Sequence, residues 1–319
     1  METVGNRALA ETPAATRTSW WSEFGEYWAR VPDKALFLAL LAGWCVLFQF
    51  VGISSFNFGT SQPSLFEWLY NAWNMPAMDC EHGKLIPFVV AILLWIKRKE
   101  LAATIQGVWW PALVIIGLAL MIHVLGFLAQ QPRISMVAFF LGMYGLVGLV
   151  WGLGTMWSST FPLFLFGFCM PLGIYTDRIT LPMRMISVTL TRGVCHGLLG
   201  IHVIQQGTEL LDPNGVYQYD VVAACSGIRS FVALLAITSV FAILSMRSIW
   251  RRALMLASTV PVVIACNTLR LSVVVLVGKH YGQAKGEWVH DWFGYVSYLV
   301  ALGLLMAVAS ALKEKPSQT

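Results

Sequence analysis

Charge is what this chain lacks. Only 12% of its 319 residues are Asp, Glu, Lys or Arg, about half the share of an ordinary soluble domain, while 57% are hydrophobic. That balance excludes a soluble globular enzyme and predicts an integral membrane protein. Several signatures are missing as well. There is no Cys-x-x-Cys, which argues against a membrane thiol oxidoreductase, and no His-Glu-x-x-His, paired intramembrane aspartate motif or phosphate-cradling glycine loop. No cofactor and no metal is expected. The first 34 residues show no short apolar core followed by a small-residue cleavage site, so no cleavable signal peptide is expected. The net charge of +5 points to no nucleic acid, because the basic residues sit at the ends of apolar runs and form no single patch.

What the chain does have is apolar runs long enough to cross a hydrocarbon core roughly 30 Å thick, repeated along most of its length. They predict an all-α polytopic bundle of about eight transmembrane helices, near 35–53, 83–96, 109–128, 134–152, 158–175, 229–246, 254–277 and 292–311. The second run is the weakest, and the fourth and fifth are divided by a soft break at GLGTMWSST. Ahead of the bundle, residues 1–34 read as a cytoplasmic tail ending in an amphipathic segment around 20–30; residues 312–319 form a second cytoplasmic tail.

Lysine and arginine orient the bundle. Arg30, Lys34, the Lys97-Arg98-Lys99 cluster, Arg247, Arg251, Arg252, Lys313 and Lys315 all fall on one side when both termini are inside, as the positive-inside rule requires. The long segment 176–228 then faces outward. Its first part, around Pro182, reads as a helix lying along the interface. Asp212-Pro213-Asn214-Gly215, between two β-prone runs, predicts a small extracytoplasmic hairpin within 200–222, a candidate lid or strand-addition surface.

Ionisable groups in or at the lip of a span are costly, so each one needs a reason. Cys225 opens the sixth span, Arg270 lies within the seventh, and His290 stands at the outer start of the eighth; all three fall in the outer leaflet. The chemistry they permit is nucleophilic acyl transfer. A cysteine at a helix N-terminus near a cation has a lowered pKa, and Arg229 follows Cys225 by one turn. Arg270 is placed to stabilise the thiolate or a developing oxyanion, and His290 to move protons, with Asp291 or Glu287 orienting it. Ser226 and Gly227 mark close backbone approach beside the sulfur. Cys45, Cys169 and Cys266 read instead as small core hydrophobes.

Four stretches resemble the exosortase and archaeosortase family of membrane cysteine transpeptidases: Ala-Ala-Cys-Ser-Gly-Ile-Arg at 223–229, Asn-Thr-Leu-Arg at 267–270, His290 followed by Gly294, and Glu-His-Gly-Lys-Leu-Ile-Pro at 81–87. The resemblance implies that Cys225, Arg270 and His290 form the catalytic set, with Asn267 in a supporting place; His82 and Gly83, at the outer mouth of the second span, read equally as lining the same cleft or as shaping a turn. It also implies the task. The enzyme recognises a C-terminal sorting signal on an exported protein, made of a short motif, a transmembrane helix and a basic tail. It cleaves at the motif and passes the acyl group to a surface acceptor, a lipid or polysaccharide, at the bacterial cytoplasmic membrane. The glycines at 142, 145, 148 and 152 form a close-packing face, read first as internal packing and second as a surface for the substrate helix. Two other classes stay open: a membrane acyltransferase with a lipid donor, and a non-enzymatic binding or transport protein that holds an anionic ligand on Arg270 and His290.

Overall fold

The computed structural model describes residues 20–53, 63–75, 78, 80–171, 174–220 and 227–313. Helix dominates. The order is α1 (Trp20–Arg30), α2 (Lys34–Phe50), α3 (Leu65–Asn74), α4 (Ile86–Ile96), α5 (Arg98–Ala103), α6 (Ala112–Leu128), α7 (Pro132–Trp151), α8 (Leu153–Phe164) and α9 (Ile174–Gly197). Three short strands follow, β1 (Ile204–Gln206), β2 (Glu209–Leu211) and β3 (Gln218–Asp220), and then α10 (Gly227–Ser245), α11 (Ile249–Tyr281) and α12 (Gln283–Leu312).

By length and composition, α7, α11 and α12 are each long and apolar enough to cross a membrane; α1 and α2, bent by 94° where they join, make a fourth if counted as one span. The bend falls at Asp33, whose φ of 49° sends the chain out of the first helix axis. The amphipathic segment expected at 20–30 is thus a helix turned across the end of α2, and it docks on α4 and α5. Phe24 and Tyr27 pack on Trp95, and Glu23 pairs with Arg98. The soft break expected near GLGTMWSST falls at its first residue, Gly152, where φ is 95° and the helix restarts at once.

The glycine face on α7 is filled from within. A side chain on Gly142 would run into the indole of Trp44, one on Gly145 would come within 2.8 Å of Ile116, and one on Gly148 within 2.7 Å of Met156. Trp44 also donates its indole N–H to Phe139 O at 3.0 Å. Internal packing is therefore what these glycines serve, which leaves them no room for a second helix.

Around the site, α11 and α12 form a long antiparallel pair joined at Gly282, whose φ is 85°. Both helices run further toward this corner than the apolar runs of the sequence suggest, since α11 continues to Tyr281 and α12 begins at Gln283. Consequently His290 sits on the second turn of a continuous helix, not at the helix start. Leu234 and Ala242 of α10, Met255, Val263 and Cys266 of α11, and Ala301, Leu305 and Ala309 of α12 belong to one core cluster.

α9 departs from the helix expected along the interface with Pro182 near its start. It begins at Ile174, upstream of Pro182, and its buried positions Thr180, Arg184, Ser187, Thr191 and Cys195 recur at helical spacing on one face. The opposite face exposes Leu181, Met185, Ile186 and Leu190. The polar stripe is turned onto α11, where the Thr191 hydroxyl lies 3.5 Å from Thr268 O, and Thr180 and Arg184 share a cavity with Val263 and Ile264. The two helices therefore run side by side in the same direction.

The expected hairpin forms and gains a third strand, giving an antiparallel meander in the order β1-β2-β3 with Leu210 opposite Tyr219. Asp212 shapes the second turn by accepting from the amides of Asn214 at 2.9 Å and Val216 at 3.3 Å. Its other oxygen holds Lys279 Nζ at 2.8 Å, tying the turn to the end of α11. Tyr219 then wedges its phenol between Gly278 and Gly286, where a side chain at either glycine would collide with it. The sheet is thereby locked over the α11/α12 corner, one turn from His290.

Candidate active site

Arg270 and His290 meet across the α11/α12 pair. The guanidinium donates to His290 O twice, from Nη2 at 2.8 Å and from Nε at 3.2 Å, and Nη2 lies 3.4 Å from His290 Nδ1. This planar two-pronged hold needs an arginine fork. Gly294, one turn beyond His290, makes room for it: a side chain there would lie 3.0 Å from Nη2 and 3.3 Å from Cζ. The spacing of His290 and Gly294 was legible in the sequence, but its reason was not, because that reason is a contact across helices.

His290 is buried, at 7% exposure, while the side chain of Asp291 beside it is 84% exposed, with Oδ1 3.3 Å from Nδ1. Nδ1 serves only one partner at a time. It accepts from Arg270 when the proton is on Nε2, and donates to Asp291 when the proton is on Nδ1. Glu287, the other residue considered for orienting the ring, is held by Gln283 instead, at 2.8 Å.

Asn267 lies one turn before Arg270 on α11 and lines two small cavities of about 20 Å³ each, one between α9, α10 and α11 and one among α10, α11 and α12. Each is large enough for a single water. The second cavity is lined by Leu234 of α10 together with Arg270 and Ser297. Gly227 opens α10 and Arg229 falls on its first turn. Cys225 and Ser226, just before that helix, lie outside the described residues.

His82 and Gly83 occupy a short 3-10 turn, Glu81–Leu85, that leads into α4. Gly83 is a packing residue: a side chain would strike the Trp73 indole, and its carbonyl accepts from the Cys169 thiol at 3.5 Å. The Trp73 indole in turn donates to Cys169 O at 2.9 Å. His82 is half-buried, and its Nδ1 is buried without a hydrogen-bond partner among the described residues. Burial lowers its pKa, against a smaller opposing effect of the Phe168 backbone. The turn packs against α10 and the Leu165–Cys169 turn; no bond joins it to Arg270 or His290 among the described residues. Cys80 and Cys195 are both buried, in separate surroundings, and neither is in a disulfide.

Fold and site together define a polytopic helical membrane protein with a histidine clamped by an arginine near one end of its longest helix pair. The chain belongs to the transmembrane exosortase family: the family model described as Transmembrane exosortase (Exosortase_EpsH) matches residues 73–307, from the last residues of α3 into α12. No curated protein and no solved structure matches the chain significantly.

Proposed function

We propose that this exosortase is a membrane cysteine peptidase and transpeptidase in which Cys225, Arg270 and His290 act together. The observation that carries the reading is the Arg270 clamp on the turn bearing His290, beside a cavity that α10 also lines. Cys225 precedes α10 by two residues. The proposed topology has eight spans in a bacterial cytoplasmic membrane, both termini inside, and the site at the outer face. The substrate is an exported protein carrying a short motif, an apolar helix and a basic C-terminal tail.

In the proposed reaction the Cys225 thiol gives its proton to His290, the thiolate attacks the scissile carbonyl, and the oxyanion forms within reach of a cationic donor. The C–N bond then breaks, and the imidazolium of His290 gives its proton to the leaving amine. This leaves a thioester on Cys225. A nucleophile of the surface acceptor, or water, gives its proton to His290 as it attacks the thioester and releases the thiolate. Ser226, Gly227, Asn267 and Arg229 shape the approach to the sulfur, and Asp291 biases the histidine tautomer.

The test is processing of a sorting-signal substrate by Cys225→Ala. The variant should insert and fold like the natural protein and leave the substrate uncut. Normal cutting by that variant rules the reading out. A peptide-based trap that labels Cys225, where a fatty-acyl probe does not, separates a transpeptidase from a lipid-donor acyltransferase.

A further inference from the structure

An apolar groove of about 720 Å³ runs between α2, α4, α7 and α8 and is used by no step of the proposed reaction. That volume lies within the range of small-molecule sites. Its walls are side chains such as Leu41, Ala91, Met143 and Val147. Thr155 and Ser159 on its wall are already satisfied, because Thr155 donates to Trp151 O and Ser159 to Met156 O, and the third hydroxyl, on Tyr27, stands at the end where α1 crosses. Such a groove asks its occupant for hydrocarbon and no hydrogen bonds.

One end of the groove differs. There α1 crosses it, and a second cavity of about 640 Å³ opens, sharing Tyr27, Val31, Arg98 and Ile105 with the first. Trp28, Trp95 and Trp151 stand at this level, as aromatic rings do at a bilayer interface. Just beyond them the second cavity is rimmed by Glu23, Glu26, Arg30, Arg98 and Lys99. Glu23 is taken up by Arg98, which also lies over the Trp95 ring at 4.1 Å. That leaves Arg30 and Lys99, both exposed, against Glu26, an excess of one positive charge just beyond the ring of indoles.

The geometry points to a bound anionic phospholipid: an acyl chain in the groove, with the phosphate among Arg30, Lys99 and the interfacial indoles. An apolar helix with a basic tail fits worse, because its tail would meet the cationic rim. The site lies on the α1 side of the bundle, and the inference does not depend on Cys225 chemistry.

The test is native mass spectrometry of the full chain released from nanodiscs of equal dioleoylphosphatidylglycerol and dioleoylphosphatidylcholine. One phosphatidylglycerol should be retained in preference, each of Arg30 and Lys99 adding about a fivefold bias. Ala91→Trp, which fills the groove, should remove the retained lipid. The surface variant Arg30→Gln with Lys99→Gln should still hold a lipid but choose between the two evenly. Equal retention of both lipids by the natural protein overturns the inference, and so does an unchanged bias in the double variant. Capture of a polypeptide in place of a lipid by a photoreactive residue at Ala91 overturns it too.

Discussion

Arg270 of α11 and His290 of α12 are joined by two hydrogen bonds from one guanidinium to one backbone carbonyl, at 2.8 and 3.2 Å. A main-chain acceptor fixes the helix turn and leaves the imidazole ring to adjust. Arg270→Lys keeps the charge and loses the fork. Losing a charged hydrogen bond costs about 1.5–3 kcal/mol, so substrate processing should fall about ten- to a hundredfold. Membrane insertion and thermal stability should change little, as measured by fluorescence-detected gel filtration.

Gly294→Ala should impair processing through the same contact, because the new methyl sits 3.0 Å from Nη2 and the guanidinium must shift. Gly303→Ala on the same helix meets nothing within 4 Å and serves as the control. The control should process near-normally and Gly294→Ala should lose about tenfold or more, consistent with a displaced hydrogen bond.

Asp291→Asn should cost only a few-fold, as an exposed partner contributes little. Its signature is the pH profile. If Asp291 biases the Nδ1–H tautomer, the rising limb of processing against pH shifts in the variant, while its maximum stays within a few-fold of the natural protein.

Gly286→Ala should loosen the corner where Tyr219 is wedged, by about 1–3 kcal/mol for overpacking. Pairing it with Tyr219→Ala, which removes the clashing ring, should recover part of that loss in a thermal-shift measurement. Two single effects that simply add would contradict the wedge.

The turn at Asp212 carries a pH dependence. Burial raises the pKa of its carboxyl, but Lys279 and the amides of Val216 and Asn214 outweigh this and hold it below the ordinary value. A depressed carboxylate stabilises the fold fully above its unfolded pKa, about 3.9, and that contribution is lost as pH falls through the lower folded value. Limited proteolysis of the 204–220 region should therefore quicken below about pH 4. Asp212→Asn should be equally susceptible at pH 7 and at pH 4.

How much of this was written in the sequence varies with the distance over which the signal acts. The amphipathic α1, the break at Gly152 and the Asp-Pro-Asn-Gly turn are local, set by a few adjacent residues, and they appear where expected. Helix ends were harder. α11 and α12 continue past their apolar runs because Gly282 turns the chain and the sheet covers the corner, facts that hydropathy does not encode. α9 was read as interfacial because apolar and basic residues mix along it after Pro182, yet its polar stripe is the side turned inward, onto α11. Periodicity reveals that a helix has two faces without saying which neighbour claims each. At the site, Arg270 and His290 announced themselves as costly ionisable residues in apolar surroundings. Gly278 and Gly286 did not, and Gly294 showed only its spacing from His290, since a glycine in a helix gains its meaning from the side chain that arrives from elsewhere.

Peptide mapping by mass spectrometry tests the role of the Cys225 sulfur most directly. After brief reaction with a sorting-signal substrate and an acid quench, the Cys225 peptide should carry the substrate's acyl portion in a bond that hydroxylamine cleaves. A substrate fully cut while Cys225 stays unmodified at every time point, or cut at the normal rate by Cys225→Ala, contradicts the account.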